Sequence, residues 1–165
     1  MAPLIVLLAA FLVLTLVHRY GAVAWLVPAR RGRLAIGLMF VFTGISHFFL
    51  VEEMAAMIPP VVPAREAVVY LTGAFEIAAA VGLLAPRLQR LTGYALIAFL
   101  AMVLPANVYG ALNEVGTGGS TSGPGYLWFR IPLQLFFVGW IWYFALRPAS
   151  SSTTAEPPPQ ASRQA

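Results

Sequence analysis

Five ionisable or strongly polar side chains interrupt otherwise apolar stretches of this chain. They are a histidine, a glutamate, an asparagine, an arginine and a glutamine: His47, Glu76, Asn107, Arg130 and Gln134. A carboxylate and an imidazole can exchange protons, and the other three can donate hydrogen bonds to a ligand. Such groups are expensive in a lipid environment, so each one is a candidate for a functional site and needs a partner. The catalytic residue, if the chain has one, is not identified by this pattern.

Composition indicates an integral membrane protein. The chain has 165 residues, of which 60% are hydrophobic and 10% charged, and its mean hydropathy is +0.82. Soluble domains carry about 25% charged residues. The length leaves room for four or five helices of about 20 residues, so a soluble catalytic domain is excluded.

The chain contains no cysteine. This excludes disulfides, thiol relays and iron–sulfur ligation by cysteine. One glutamate and one histidine do not complete a metal site, so we predict no metal. A haem is also disfavoured, because the second histidine, His18, lies at the opposite end of the predicted helices.

Five apolar runs predict an all-α membrane protein. They form a four-helix transmembrane bundle with an additional N-terminal transmembrane helix, and we place the spans at 3–27, 34–51, 67–85, 91–112 and 126–146. Residues 148–165 are rich in Pro, Ser and Thr and predict a disordered cytoplasmic tail. The first run also has the outline of a cleaved signal peptide, but Arg19 interrupts it before the small-residue site, which favours a retained span.

Arginine placement sets the predicted orientation. The connections near 27–33 and 86–90 and the C-terminal end are arginine-rich, whereas the other two connections hold one arginine between them. The positive-inside rule then places the N-terminus outside and the C-terminus in the cytoplasm of a multi-pass protein of the cell membrane.

Helical periodicity places the polar side chains on inward stripes. Small residues share these stripes, such as Gly44 with His47 and Gly73 with Glu76, as expected at close helix contacts. Glu76 lies about 15 Å into its span and the other four lie nearer the outer end. We therefore predict one outward-opening polar cavity, with Arg130 within reach of Glu76.

Each polar residue also has a purely structural interpretation. Arg130 fits an interfacial arginine, His47 fits a helix cap that bonds the next loop, and Asn107 and Gln134 fit interhelical hydrogen-bonding groups. Glu76 must be neutral or paired, and a structural Glu76–Arg130 ion pair would satisfy it. These alternatives remain open from the sequence.

The connection after the second span begins with VEEMAAM. It predicts one or two helical turns with Met54 and Met57 facing lipid. Three prolines follow, Pro59, Pro60 and Pro63, and predict an extended path.

An ordered set of motifs resembles the DoxX-like family of small bacterial membrane proteins. The motifs are GISHFF at 44–49, MIPPVVP at 57–63, VYLTGAFEIAAAVGLLAPRLQR at 69–90, LPANVYGALN at 104–113 and YLWFRIPLQ at 126–134, within a resemblance that covers about 34–147. It implies a four-helix transmembrane bundle, to which the first span is an addition. The motif positions that carry over are His47, Pro59, Glu76, Asn107, Arg130 and Gln134.

The resemblance also implies an association with membrane redox chemistry. Relatives include subunits of a thiosulfate:quinone oxidoreductase and members of oxidative-stress or amine-dehydrogenase maturation systems. The first functional hypothesis is therefore a quinone-linked or redox-accessory membrane subunit, with quinone as cofactor, the lipid bilayer and other membrane redox subunits as partners, and no role for nucleic acid. The alternatives are a small-molecule or lipid binding or transport protein and a purely structural scaffold. Whether the chain is an enzyme stays open.

Overall fold

The computed structural model describes residues 2–21, 23–113 and 124–147, and the described chain is all-helical. The helices are α1 (Ala2–Gly21), α2 (Pro28–Phe49), α3 (Val51–Ala56), α4 (Arg65–Gly82), α5 (Gln89–Leu112) and α6 (Leu127–Ile141). A 3₁₀ turn, Pro124–Tyr126, precedes α6, and a π-helical turn, Trp142–Leu146, continues it. The predicted disordered tail over 148–165 lies outside the described residues.

Four of the described helices are long and apolar enough to cross a membrane. They are α1, α2, α5 and the continuous stretch Leu127–Leu146. The remaining long helix, α4, is 18 residues long and carries Arg65, Glu66 and Glu76. The all-α prediction is therefore confirmed. Four of the five predicted spans coincide with these apolar helices, and α4 coincides with the third.

One core joins all five long segments. Leu7 of α1, Ile36 of α2, Leu83 after α4, Leu96 of α5 and Ile141 of α6 are fully buried in a single hydrophobic cluster. Leu7 is the only buried residue of α1. Phe11 of the same helix stacks against Trp140, with ring centroids 5.1 Å apart. The first helix therefore packs on the outside of the bundle formed by the others.

The second helix begins earlier than the sequence predicts. We expected a connection through residue 33, but α2 starts at Pro28 and contains Arg30, Arg31 and Arg33. Proline suits the first helical position because its missing N–H has no intrahelical acceptor to lose. Arginine stems are long enough to carry their charge past a helix end, so the three arginines do not stop the helix.

The connection after α2 also differs from prediction. The predicted one or two helical turns are present as α3. Met57, however, packs inward, where a β-carbon built on Gly110 would meet its side chain at 2.9–3.1 Å. The proline segment is not fully extended, because Val62 N–H bonds Pro59 O at 3.0 Å and closes a turn. Pro60 occupies the second position of that turn, which proline favours.

The bundle has two chemically different ends. The starts of α2 and α5 meet the end of α6 at one of them, where the Arg33 guanidinium donates to Gln89 and Gln89 Nε2 donates to Ala145 O at 2.6 Å. We call this the arginine end. The opposite end, which carries α3, is called the α3 end.

Glycines set the spacing between α2 and α4. A β-carbon added at Gly44 would lie 2.8 Å from Gly73 O, and one added at Gly73 would lie 2.7 Å from His47 Cβ. Further along, a β-carbon at Gly37 would contact Ala80 O at 3.5 Å. The predicted small-residue stripes of both helices therefore face each other, and the backbones approach closely because no side chain separates them.

Gly44→Ala is expected to destabilise the protein by about 1–3 kcal/mol, because the new methyl group would lie 2.8 Å from both the Gly73 carbonyl oxygen and Ile77 Cγ1. Gly139→Ala is the matched control, since nothing lies within 4 Å of a β-carbon there. The free energy of unfolding of both variants, measured in mixed detergent micelles by circular dichroism, tests this. Equal stabilities would show that the α2–α4 contact is not tight.

Candidate functional site

His47 and Glu76 face each other across the close contact of α2 and α4. His47 Nδ1 lies 3.8 Å from Glu76 Oε2, and the two side chains are 17% and 8% exposed. His47 lies three residues after Gly44 and Glu76 three residues after Gly73, so each polar side chain follows a glycine by about one turn. The glycine contact therefore brings the imidazole and the carboxylate together.

One ring nitrogen of His47 already makes a hydrogen bond. His47 Nδ1 lies 2.8 Å from Thr43 O on its own helix. A carbonyl oxygen only accepts, so Nδ1 carries the hydrogen and, in the neutral ring, Nε2 is the acceptor. His47 therefore does not make the predicted helix cap, in which it would bond the next loop. The ring is instead fixed by its own helix beside Glu76.

Glu76 is one of two buried polar residues in the described chain. It is 6% exposed, and its Oε2 atom has no hydrogen-bond partner. The contact with His47, at 3.8 Å, is longer than a hydrogen bond. A buried oxygen without a donor costs free energy, so this atom is available to a donor that enters the site.

Asn107 of α5 is the other buried polar residue, at 7% exposure. Its Oδ1 accepts a hydrogen bond of 3.2 Å from Arg130 Nη2 of α6. Its Nδ2 group is buried without an acceptor. The amide therefore holds a cation on one side and presents an unused donor on the other.

Gln134 links the same two helices one turn deeper. Its Nε2 donates to Leu100 O. Leu100 precedes Ala101, whose carbonyl loses its usual helical donor because Pro105 has no N–H. The acceptor that Gln134 uses is therefore next to the carbonyl that Pro105 leaves free, and not that carbonyl itself. Both Asn107 and Gln134 make the interhelical bonds of their structural interpretation.

Four of the five residues form two separate pairs, and Gln134 bonds a backbone carbonyl. Glu76 contacts His47, and Arg130 contacts Asn107, so the predicted Glu76–Arg130 pair does not form as a direct contact in the described chain. Arg130 still acts electrostatically on the Glu76 carboxylate, and Thr43 provides a further polar group beside it. The physical reason is geometric: the glycine contact places His47 nearer, and the amide of Asn107 holds the guanidinium on the α5–α6 side.

Two cavities lie at the α3 end, next to this constellation. One, of about 640 Å³, is lined by Glu52, Arg65, Glu66 and neighbouring alanines, and the other, of about 300 Å³, by residues 48–53 and Tyr70. Phe48, which follows His47 in the sequence, lines the second cavity. Neither is lined by the five predicted residues.

Sequence reasoning missed three contributors. Thr43 lies one turn before His47 and receives the histidine bond on its carbonyl, and the stripe that contains Gly44 and His47 could have indicated it. Met57 covers Gly110, one turn after Asn107, but no periodicity extends across the proline segment to indicate this contact. Gln89 joins three segments at the arginine end, although the sequence pattern places it in the connection at 86–90. Among the described residues, no three potential metal-ligating side chains converge.

The Asn107–Arg130 contact is expected to contribute measurable coupling. Asn107→Ala and Arg130→Met, combined in a double-mutant cycle, should give a coupling energy of about 0.6–1.7 kcal/mol, the range found for hydrogen bonds between membrane helices. The free energy of unfolding in mixed micelles is the quantity to measure.

Asn113 supplies the control for that cycle. It lies on the exposed end of α5 and bonds Tyr109 O of its own helix at 2.8 Å. The cycle of Asn113→Ala with Arg130→Met should therefore show no coupling beyond error. Similar energies in both cycles would contradict the assignment of Asn107 as the partner of Arg130.

Comparison with known proteins places the chain in a family of undescribed activity. The family described as "Domain of unknown function (DUF8561)" matches residues 36–145, which is most of the chain and includes all five polar residues. The protein therefore belongs to this family. No curated protein and no solved structure matches the chain.

Proposed function

We propose that this protein is a multi-pass membrane protein of DoxX-like type that serves as a quinone-linked or redox-accessory subunit. The quinone head group would bind between α2, α4, α5 and α6, on the outer half of the bilayer. One observation carries this proposal: Glu76 Oε2 and Asn107 Nδ2 are buried polar atoms without hydrogen-bond partners. Their chemistry, one oxygen and one N–H donor, matches the two ends of a hydrogen-bonding ligand.

The residues fit the chemistry of a quinone head group. Asn107 Nδ2 and the Arg130 guanidinium donate hydrogen bonds, which is what a ligand carbonyl requires. Glu76 accepts a hydrogen bond or a proton from a ligand hydroxyl, and His47 Nε2 offers a second proton acceptor beside it. When bound, a quinone would supply two-electron, two-proton redox chemistry, and Glu76 and His47 would be the groups that exchange protons with it.

The exposed apolar side chains support insertion in a bilayer. α1 alone presents several of them, including Ile5, Leu12 and Val13, each more than half exposed. Water would be a poor solvent for that surface, whereas acyl chains are a good one. In our proposal α4 also spans the membrane, which makes five spans in all, and Glu76 faces α2 and away from lipid.

Quinone retention is the direct test. The protein is purified in mild detergent, and the organic extract is quantified by mass spectrometry. Wild-type protein should retain quinone, and Asn107→Leu should lower the retained amount about tenfold, because one buried hydrogen bond is worth about 1 ± 0.5 kcal/mol and the larger leucine also fills the space beside it.

Asn113→Leu is the matched control for quinone retention, since it removes an asparagine from the exposed end of the same helix. It should retain the wild-type amount. Quinone missing from the wild-type extract, or equal losses in the two variants, would refute the proposal.

The absence of cysteine makes the proposed topology directly measurable. Val61→Cys introduces a thiol in the connection between α3 and α4, and Leu88→Cys introduces one in the connection between α4 and α5; both positions are well exposed. In intact cells a membrane-impermeant maleimide should label the first and spare the second until the cells are lysed, because the arginine-rich connection faces the cytoplasm. The reverse pattern would invert our orientation.

A structural role for the polar network is the second candidate. Arg130 and Gln134 both bond across α5 and α6, which is the arrangement expected of a scaffold. In that case replacing Glu76 by Gln and Arg130 by Met together would leave a stable and active protein, since the two charges interact without direct contact and their joint removal leaves neither one uncompensated.

A further inference from the structure

We propose a binding site for the phosphate head group of an anionic phospholipid at the arginine end, centred on Gln89. This side chain makes two bonds to other parts of the bundle: it accepts from Arg33 of α2 and donates to Ala145 O of the π-helical turn. Gln89 is also the first residue of α5. Three segments of the chain are therefore held together at one point.

Four arginines either bond Gln89 or lie within two residues of it or of its partner Ala145 in the sequence. Arg33 is bonded to it directly. Arg87 and Arg90 flank Gln89 in the chain and are exposed. Arg147 follows the bonded Ala145 by two residues, is exposed, and has its guanidinium carbon 5.2 Å from the centre of the Tyr143 ring. Exposed guanidinium groups from separate segments are well suited to bind one phosphate, because each offers several donors.

No acidic residue of the described chain balances these charges. The acidic residues of the sequence are all glutamates, and the four that are described, Glu52, Glu53, Glu66 and Glu76, belong to α3 and α4. The first three lie at the α3 end, and Glu76 contacts His47. Arg30 and Arg33 also repel each other at the start of α2. The arginine end thus lacks described counter-charges and attracts an external anion.

Two helix starts add to this potential. α2 and α5 both begin at the arginine end, and neither has a side-chain cap or an acidic residue in its first turn. The partial positive charge at each helix start is therefore not neutralised by the chain itself. Together with the arginines, it favours a phosphate group at this end.

Apolar side chains beside the arginines indicate a lipid and not a free phosphate. Leu88 and Leu91, on either side of Arg90 and Gln89, are 50% and 69% exposed, and Trp142 and Tyr143 of the π-helical turn are 57% and 53% exposed. Acyl chains would cover these side chains while the head group contacts the arginines. This inference rests on the proposed insertion in a bilayer and not on quinone binding.

Native mass spectrometry of the full chain in detergent micelles tests the proposal. The protein is titrated with phosphatidylglycerol and, separately, with phosphatidylcholine of the same acyl chains. We expect phosphatidylglycerol to bind at least about tenfold more tightly. Arg87→Gln combined with Arg90→Gln should reduce that preference about tenfold or more, since each arginine near anionic lipid contributes about a fivefold effect.

Arg65→Gln is the control for location, because it removes one positive charge at the α3 end, and it is compared with the single variant Arg90→Gln. Arg65→Gln should keep the lipid preference within about twofold of wild type. Arg87 and Arg90 are exposed, so their variants should unfold at the wild-type temperature. The preference of the wild-type protein should also weaken as salt is raised from 50 to 300 mM, roughly the range over which screening becomes strong, which tests the charge contribution without a variant.

Three results would overturn the proposal. Equal binding of the two lipids would remove the anion preference, and a loss in Arg65→Gln as large as in Arg90→Gln would remove the location. Displacement of phosphatidylglycerol by millimolar inorganic phosphate would identify a soluble phosphate ligand instead of a lipid. A negative quinone assay would leave the lipid measurement unaffected, so the two proposals fail separately.

Discussion

The close contact between α2 and α4 is the constraint on which the polar site depends. Gly44 and Gly73 lie so near each other that neither tolerates a β-carbon without a shift. Only at this spacing can His47, on one helix, reach a carboxylate on the other at 3.8 Å. Without the two glycines the helices would separate by the width of a side chain, and Glu76 would be buried without a neighbouring imidazole.

Polar chemistry in this bundle is divided among three places. The α3 end carries three glutamates and Arg65. The interior carries the His47–Glu76 and Asn107–Arg130 pairs. The arginine end carries Gln89, which bonds two other segments. The interior groups are fixed by neighbours on other helices, whereas the charges at the ends are mainly exposed.

Much of the fold follows from hydropathy and spacing, and the partners of the polar residues do not. Apolar runs predicted the five long segments, and the glycine stripes correctly indicated which faces of α2 and α4 meet. Periodicity gives the face of a helix but not the distance between two side chains on different helices. Periodicity therefore placed Arg130 and Glu76 in the same interior, but it did not indicate that Arg130 hydrogen-bonds Asn107. Met57 was assigned to lipid because a six-residue helix has too few turns to define a face.

The distribution of unpaired atoms argues against a site designed only for stability. A scaffold gains most when every buried donor and acceptor is satisfied, because each orphan costs free energy. Here Arg130 and Gln134 are satisfied by neighbouring helices, and yet Glu76 and Asn107, the two buried polar residues of the described chain, each keep one unpaired atom. A structural role accounts for the Asn107 oxygen, which holds the Arg130 guanidinium, but not for the unpaired Nδ2 of the same amide. In the proposed function, a polar ligand would complete both the Glu76 acceptor and the Asn107 donor.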